Sequence, residues 1–195
     1  MKHGLKTENI SRITGINIKK KAGKEHMRAI VTDSSHPVSS YVRKNHPVEI
    51  VEYEYAVSRK LYPKEFGPVF YVDDPKAKIL ARYKNDDKPA MAVRDFGSWK
   101  SVYCAVPRLD SKMLRGVAKY SGVNIYVEDD INVDANRNFV VVSNGYKKDK
   151  KITVNLPVRS DVFDALTGES IAKGVRRFNA DIQKCSTKIF FLKPL

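Results

Sequence analysis

Two cysteines and a single tryptophan are all that 195 residues hold of those two types. Cys104 and Cys185 fall in different predicted elements, so a disulfide framework is not expected and both read as buried thiols. No apolar run approaches the roughly 20 residues that a membrane-spanning helix needs. The opening MKHGLKTENISRITG carries charge but lacks the apolar centre of a signal peptide. As written, the sequence therefore reads as cytoplasmic, a reading that lapses if it derives from an exported precursor. Acidic residues are also in short supply: 22 Asp and Glu face 36 Lys and Arg, for a net charge of +14.

Part of that excess is local. Lys19, Lys20, Lys21 and Lys24 form a basic segment that could track phosphates. No recognition motif accompanies it, so a solvated strand end and turn is the simpler reading. The 42% hydrophobic and 30% charged content is that of a folded domain or two small ones.

The order of elements divides the chain. HMRAIVTD (26–33) predicts a core strand entering a turn, and His36-Pro37 holds an extended backbone. Val48 to Tyr55 suits an edge strand as well as a helix start, and Pro63, Gly67 and Pro68 mark a loop. Strands then follow at 69–72, 77–83, 89–93 and 99–106, joined by short polar turns, as an antiparallel meander or the edge of a mixed sheet. Asp110 or Ser111 caps a helix whose Met113, Leu114, Val117 and Ala118 form one apolar stripe, and Gly122 stops it. Beyond it lie only strand-like runs, at 125–127, 131–133, 139–143, 152–156, 162–164, 178–182 and 188–192, with a turn signal at Asn144-Gly145. The expected fold is thus a partial α/β domain with a flavodoxin- or amidotransferase-like mixed sheet over 1–130. A small all-β sandwich over 131–195 follows it.

Chemistry is hard to find. The pairs Asp73-Asp74, Asp86-Asp87 and Asp129-Asp130 sit at strand ends, where adjacent side chains diverge, and turn capping is the expected role. Their spacing is not that of an EF-hand. His3, His26, His36 and His46 show no zinc-ligand spacing. Cys104 lies within a strand, without the turn that exposes a nucleophile, and reads as a core thiol. Phe70, Tyr71, Trp99 and Tyr103 could stack on sugar rings, but strand alternation favours core packing for them, as for Tyr126, Phe139 and Phe163. No catalytic, cofactor-binding or metal-binding residue is assigned, and no cofactor is expected.

A resemblance sharpens this. The succession GPVFYVDDPKAKILARY, KPAMAVRDFGSWKSVYCAVPRLDSKMLRGVAKYSGVNIYVEDD, NRNFVVVSNG and DVFDALTGE resembles the C-terminal part of large bacterial glycoside hydrolases of the β-galactosidase type. His36-Pro37 matches the His-Pro that precedes this region. Such enzymes carry a catalytic barrel, an amidotransferase-like domain and a small β-sandwich. The resemblance places the paired catalytic glutamates in the barrel, which has no counterpart here, so no catalytic residue carries over. It implies an accessory role in oligomer contacts or barrel support, with self-association or a barrel-bearing partner chain. The alternative is a basic nucleic-acid-binding protein using Lys19–Lys24.

Overall fold

A computed structural model describes residues 6–49, 65–107 and 109–195. His3, Ile50 to Tyr55 and Pro63 lie outside the described residues. The chain is mostly β, with antiparallel sheets, and divides into two compact units, 1–121 and 122–195. The expected boundary near residue 130 lies inside the second unit, because Tyr126 and Val127 already pack into that unit's core.

In the first unit a short helix, α1 (Thr7–Thr14), ends at Gly15, whose φ of 66° is the left-handed turn that glycine adopts without penalty. Strands β1 (Ile18–Lys21), β2 (Arg28–Val31) and β3 (Pro47–Glu49) follow, with a 3₁₀ turn at Pro37–Ser39 between the last two. Then come β4 (Val69–Val72), β5 (Lys78–Tyr83), β6 (Pro89–Asp95), β7 (Lys100–Cys104) and the helix α2 (Ser111–Tyr120). β1 pairs with β4, and a five-stranded sheet has the order β3-β2-β5-β6-β7. Of the two sheet types open from the sequence, β5–β6–β7 is the antiparallel meander. The mixed sheet does not appear: every strand pair among the described residues is antiparallel.

β6 is the centre of this unit. Ala90, Met91, Ala92 and Val93 are all buried, because both faces of the strand are covered. Met91 and Val93 join a core with Leu80, Val31, Val38 and α2's Met113, whereas Ala92 joins Ile16, Ile18, Phe70 and Val72. α2 lies on the 3₁₀ turn through Gly116, where a Cβ would meet the Val38 carbonyl carbon at 2.7 Å and its oxygen closer still. Asp110 is the helix cap, its Oδ1 accepting from the Met113 N–H at 2.8 Å.

The second unit is a single five-stranded sheet, ordered β11-β10-β12-β9-β8. Its strands are β8 (Asn132–Ala135), β9 (Phe139–Asn144), β10 (Lys150–Asp164), β11 (Ser170–Ile182) and β12 (Ser186–Pro194). β10 pairs with β11 from Lys150 to Asn155 and, after register shifts, again from Ser160 to Phe163, while its other edge pairs with β12 from Ser160 to Asp164. The sheet thereby closes over one core in which Phe178 of β11 meets Phe190 of β12 edge-on, ring centroids 5.0 Å apart. Ile125 to Val127, expected as a strand, is irregular: Tyr126 meets β10 through its carbonyl, which accepts from the Asn155 N–H. Asn144 is buried and uses its side-chain N–H₂ to reach the carbonyls of Lys148, Ile182 and Gln183, tying the loop after β9 to the end of β11.

Candidate functional site

The basic segment is only partly free. Lys19 Nζ lies 2.6 Å from Asp73, which raises the ammonium's pKa through that hydrogen bond and charge. Lys21 Nζ sits 2.5 Å from Asp86 and 2.6 Å from Glu25; burial works against its charge, but the two carboxylates outweigh it and the pKa is raised. Lys20 and Lys24 are exposed. Two of the four lysines are thus paired with the fold's own acids, and two are not.

The acidic pairs act at turns. Asp74 accepts from the backbone N–H of Asn17 at 3.0 Å and of Lys76 at 2.9 Å, and from Arg94 Nη1 at 2.8 Å. Its side chain keeps only 5% of its exposure. Burial pushes the carboxyl up, yet the two N–H groups and the Arg94 guanidinium outweigh it and hold it below the usual range. Arg94 also donates to the Gly15 carbonyl at 2.8 Å, so one cation joins the end of α1, the turn after β4 and the end of β6. Asp86 is likewise lowered: burial opposes this, and Lys21 and the Lys88 N–H prevail. Neither carboxylate is placed as a free acid or base.

Cys104 is half-buried, and burial pushes its thiol up to about 11, which suits a packing thiol and not a nucleophile. Cys185, expected to be buried, is exposed, in the tight turn between β11 and β12. His36 caps the 3₁₀ turn, its Nδ1 accepting from the Val38 N–H at 3.2 Å, and its ring meets Tyr120 edge-on. Burial, with Lys78 nearby, lowers its pKa. His46 Nε2 lies 2.6 Å from the second oxygen of Asp110. Among the described residues, no group of three His, Cys, Asp or Glu side chains is gathered as metal ligands.

The aromatic residues divide. Phe70 is buried and Tyr103 packs in the smaller core, its hydroxyl pushed up to about 12 by burial. Trp99 corrects the expectation of core packing: it is 46% exposed at the β6–β7 turn, lying flat on Phe96 with ring centroids 4.2 Å apart. Phe96 is in turn covered by the Arg94 guanidinium and seated against Gly15. Alternation continues only while a strand lasts, and Gly97-Ser98 ends it. Phe139, also expected inside, is 41% exposed beside Phe191.

With this geometry in hand, comparison with known proteins is informative at the level of fold. No family model matches the chain, and no curated protein matches it. Among solved structures it resembles the β-galactosidase from Bacillus circulans sp. alkalophilus, with a TM-score of 0.54 and 18% identity, covering 94% of this chain and 25% of that one. The β-galactosidase from Rahnella sp. R3 gives a TM-score of 0.50 and 13% identity, covering 93% of this chain and 25% of that one. The chain spans about a quarter of the length of these enzymes. Its structural neighbours are β-galactosidases, and the likeness is one of fold.

Proposed function

We propose that this chain is a non-catalytic C-terminal portion of a β-galactosidase-type glycoside hydrolase, acting in oligomer contacts or in support of a catalytic barrel. In this reading the first unit descends from the amidotransferase-like domain and the second is the terminal β domain. The observation that carries it is coverage: 94% of this chain aligns with a quarter of a β-galactosidase. The sequence order from Gly67 to Glu169 supports the same origin independently. The engagement of Asp74 and Asp86 in turns and ion pairs is in keeping with an accessory role.

Such a portion needs apolar surface with which to dock. Ile13 is 74% exposed on α1, and Leu114 is 54% exposed although it belongs to the predicted apolar stripe of α2. Sedimentation velocity over a range of concentrations tests the docking half of the proposal. Reversible self-association, or assembly with a barrel-bearing chain, is the expected result. A monomer at every concentration that binds no exposed-surface dye and no such partner would overturn it.

A further inference from the structure

A cavity of about 380 Å³ lies in the first unit, walled by the turn from Tyr41 to His46 and by Lys112 at the start of α2. The wall is firmly built. The Asn45 N–H donates to the Val31 carbonyl at 2.8 Å, the Val31 N–H donates to the His46 carbonyl at 3.0 Å, and the His46 N–H donates to the Arg43 carbonyl at 3.0 Å. Val42 anchors the turn in the core. Asn45 takes a left-handed φ of 70°, a conformation asparagine tolerates better than most residues. The His46–Asp110 contact ties this wall to α2, while the other oxygen of Asp110 caps the helix, so the helix start is already answered from within.

Three of the residues that line the cavity are cationic. Arg43, Lys44 and Lys112 face it, all three exposed, and none has an ion-pair partner among the described residues. Elsewhere in this unit some cations, such as Lys21, Arg28 and Arg94, have a carboxylate and others, such as Lys20 and Lys24, have none among the described residues, so it is the gathering of three around one cavity that sets these apart. Gathering three like charges on one concave surface is unfavourable by itself and favours an anion there. Beyond the rim, Arg115 and Lys119 lie over the Tyr41 ring at 5.6 and 5.2 Å. Arginine and lysine donors lining one cavity suit a tetrahedral oxyanion with several acceptors better than a single carboxylate. The volume lies within the small-molecule range and has room for more than a bare ion.

We infer that the pocket of Arg43, Lys44 and Lys112 is a binding site for a phosphate-bearing ligand. This goes beyond the accessory role and does not depend on it. Titration of the full chain with inorganic pyrophosphate at about physiological ionic strength, followed by amide NMR, tests it, since screening there suppresses diffuse charge effects. Saturable shifts centred on residues 41–46 and 112 are expected. Arg43→Gln and Lys112→Gln should each weaken binding about tenfold or more, the scale of a lost charge-assisted hydrogen bond. Both side chains are exposed, and an unchanged melting curve checks that the variants fold. Lys20→Gln and Lys24→Gln, exposed cations outside the pocket, should leave the affinity unchanged. Absence of saturation overturns the inference, as does equal weakening by the outside pair, which would mean net charge alone. A single-stranded oligonucleotide that binds while pyrophosphate does not would also overturn it, in favour of an extended polyanion surface.

Discussion

The two units reach a folded state by different means. The second encloses one core with long strands: β10 alone runs 15 residues and serves two pairings. The first builds from strands of three to seven residues around two apolar clusters and joins them with charge, through Arg94–Asp74, Lys21–Asp86 and Lys78–Asp33. Long strands bury enough apolar surface to need few ionic ties, whereas short ones leave ends and turns that polar groups must satisfy. Packing should therefore dominate the stability of the second unit, and that of the first should answer more to pH. Trp99 is the sole tryptophan and lies in the first unit, so its fluorescence follows that unit alone.

The largest effect is expected at Phe190, which is 1% exposed in the second core. Phe190→Ala should cost about 4 kcal/mol, the transfer and cavity penalty of a buried aromatic. Amide exchange in β12 would accelerate accordingly while the Trp99 transition in urea stays put. An equal shift of both would dissolve the comparison and make the two units one cooperative body. Next comes Asp74→Ala, which strips Arg94 of its carboxylate in a poorly solvated place and leaves two N–H groups unanswered. A loss of about 3 kcal/mol is expected in the Trp99 transition, and a loss under about 0.5 kcal/mol would show that surface-like screening prevails.

Gly116→Ala sets two opposing effects against each other. Replacing a helical glycine gains about 1 kcal/mol, but the new methyl would press on the Val38 backbone, and overpacking costs about 1–3 kcal/mol. Backbone cannot swing aside as a side chain can, so a net loss of about 1–2 kcal/mol is expected. A stabilised variant, seen in a thermal melt followed at Trp99, would place α2 farther from the 3₁₀ turn.

The smallest effect concerns acid. Asp33, held low first by the Ser35 hydroxyl and then by Lys78, together with Asp74 and Asp86, has a folded pKa below its unfolded value. Such groups contribute stability above the unfolded carboxylate pKa of about 3.9, and it is lost as pH falls from there through the folded values. All three lie in the first unit, whereas the second has Asp164, held low by the Thr167 and Leu166 N–H groups. Going from pH 6 to pH 3 should lower the Trp99 midpoint by on the order of 5 °C more than that of β12. Parallel decline of the two would remove charge as the distinguishing tie.

Much of this architecture is legible in the chain itself. Asp110, Met113 and the runs at β4 to β7 announce themselves, because capping and burial on one or both faces leave local patterns, whereas Leu114 of the expected stripe is exposed. The continuity of β10 does not. Pro157 and the polar Arg159 interrupt its alternation, and the strand continues beyond them because β11 and β12 pair with its two edges from Ser160 on. Trp99 misleads because an aromatic residue beside a strand looks alike whether it points inward or caps a turn. The phosphate pocket is invisible for another reason: Arg43 and Lys112 meet only because α2 folds back over the 3₁₀ turn, and separation in sequence hides their shared charge. Arg94 escapes notice likewise, since its three partners come from different segments.

The accessory reading is tested most directly by catalysis. The purified chain, its fold checked by the Trp99 transition, is incubated with chromogenic aryl β-galactosides at a concentration far above that used for a glycosidase. No release of the aryl alcohol above buffer is predicted. Turnover that co-elutes with the chain and disappears when the chain is unfolded would contradict the account.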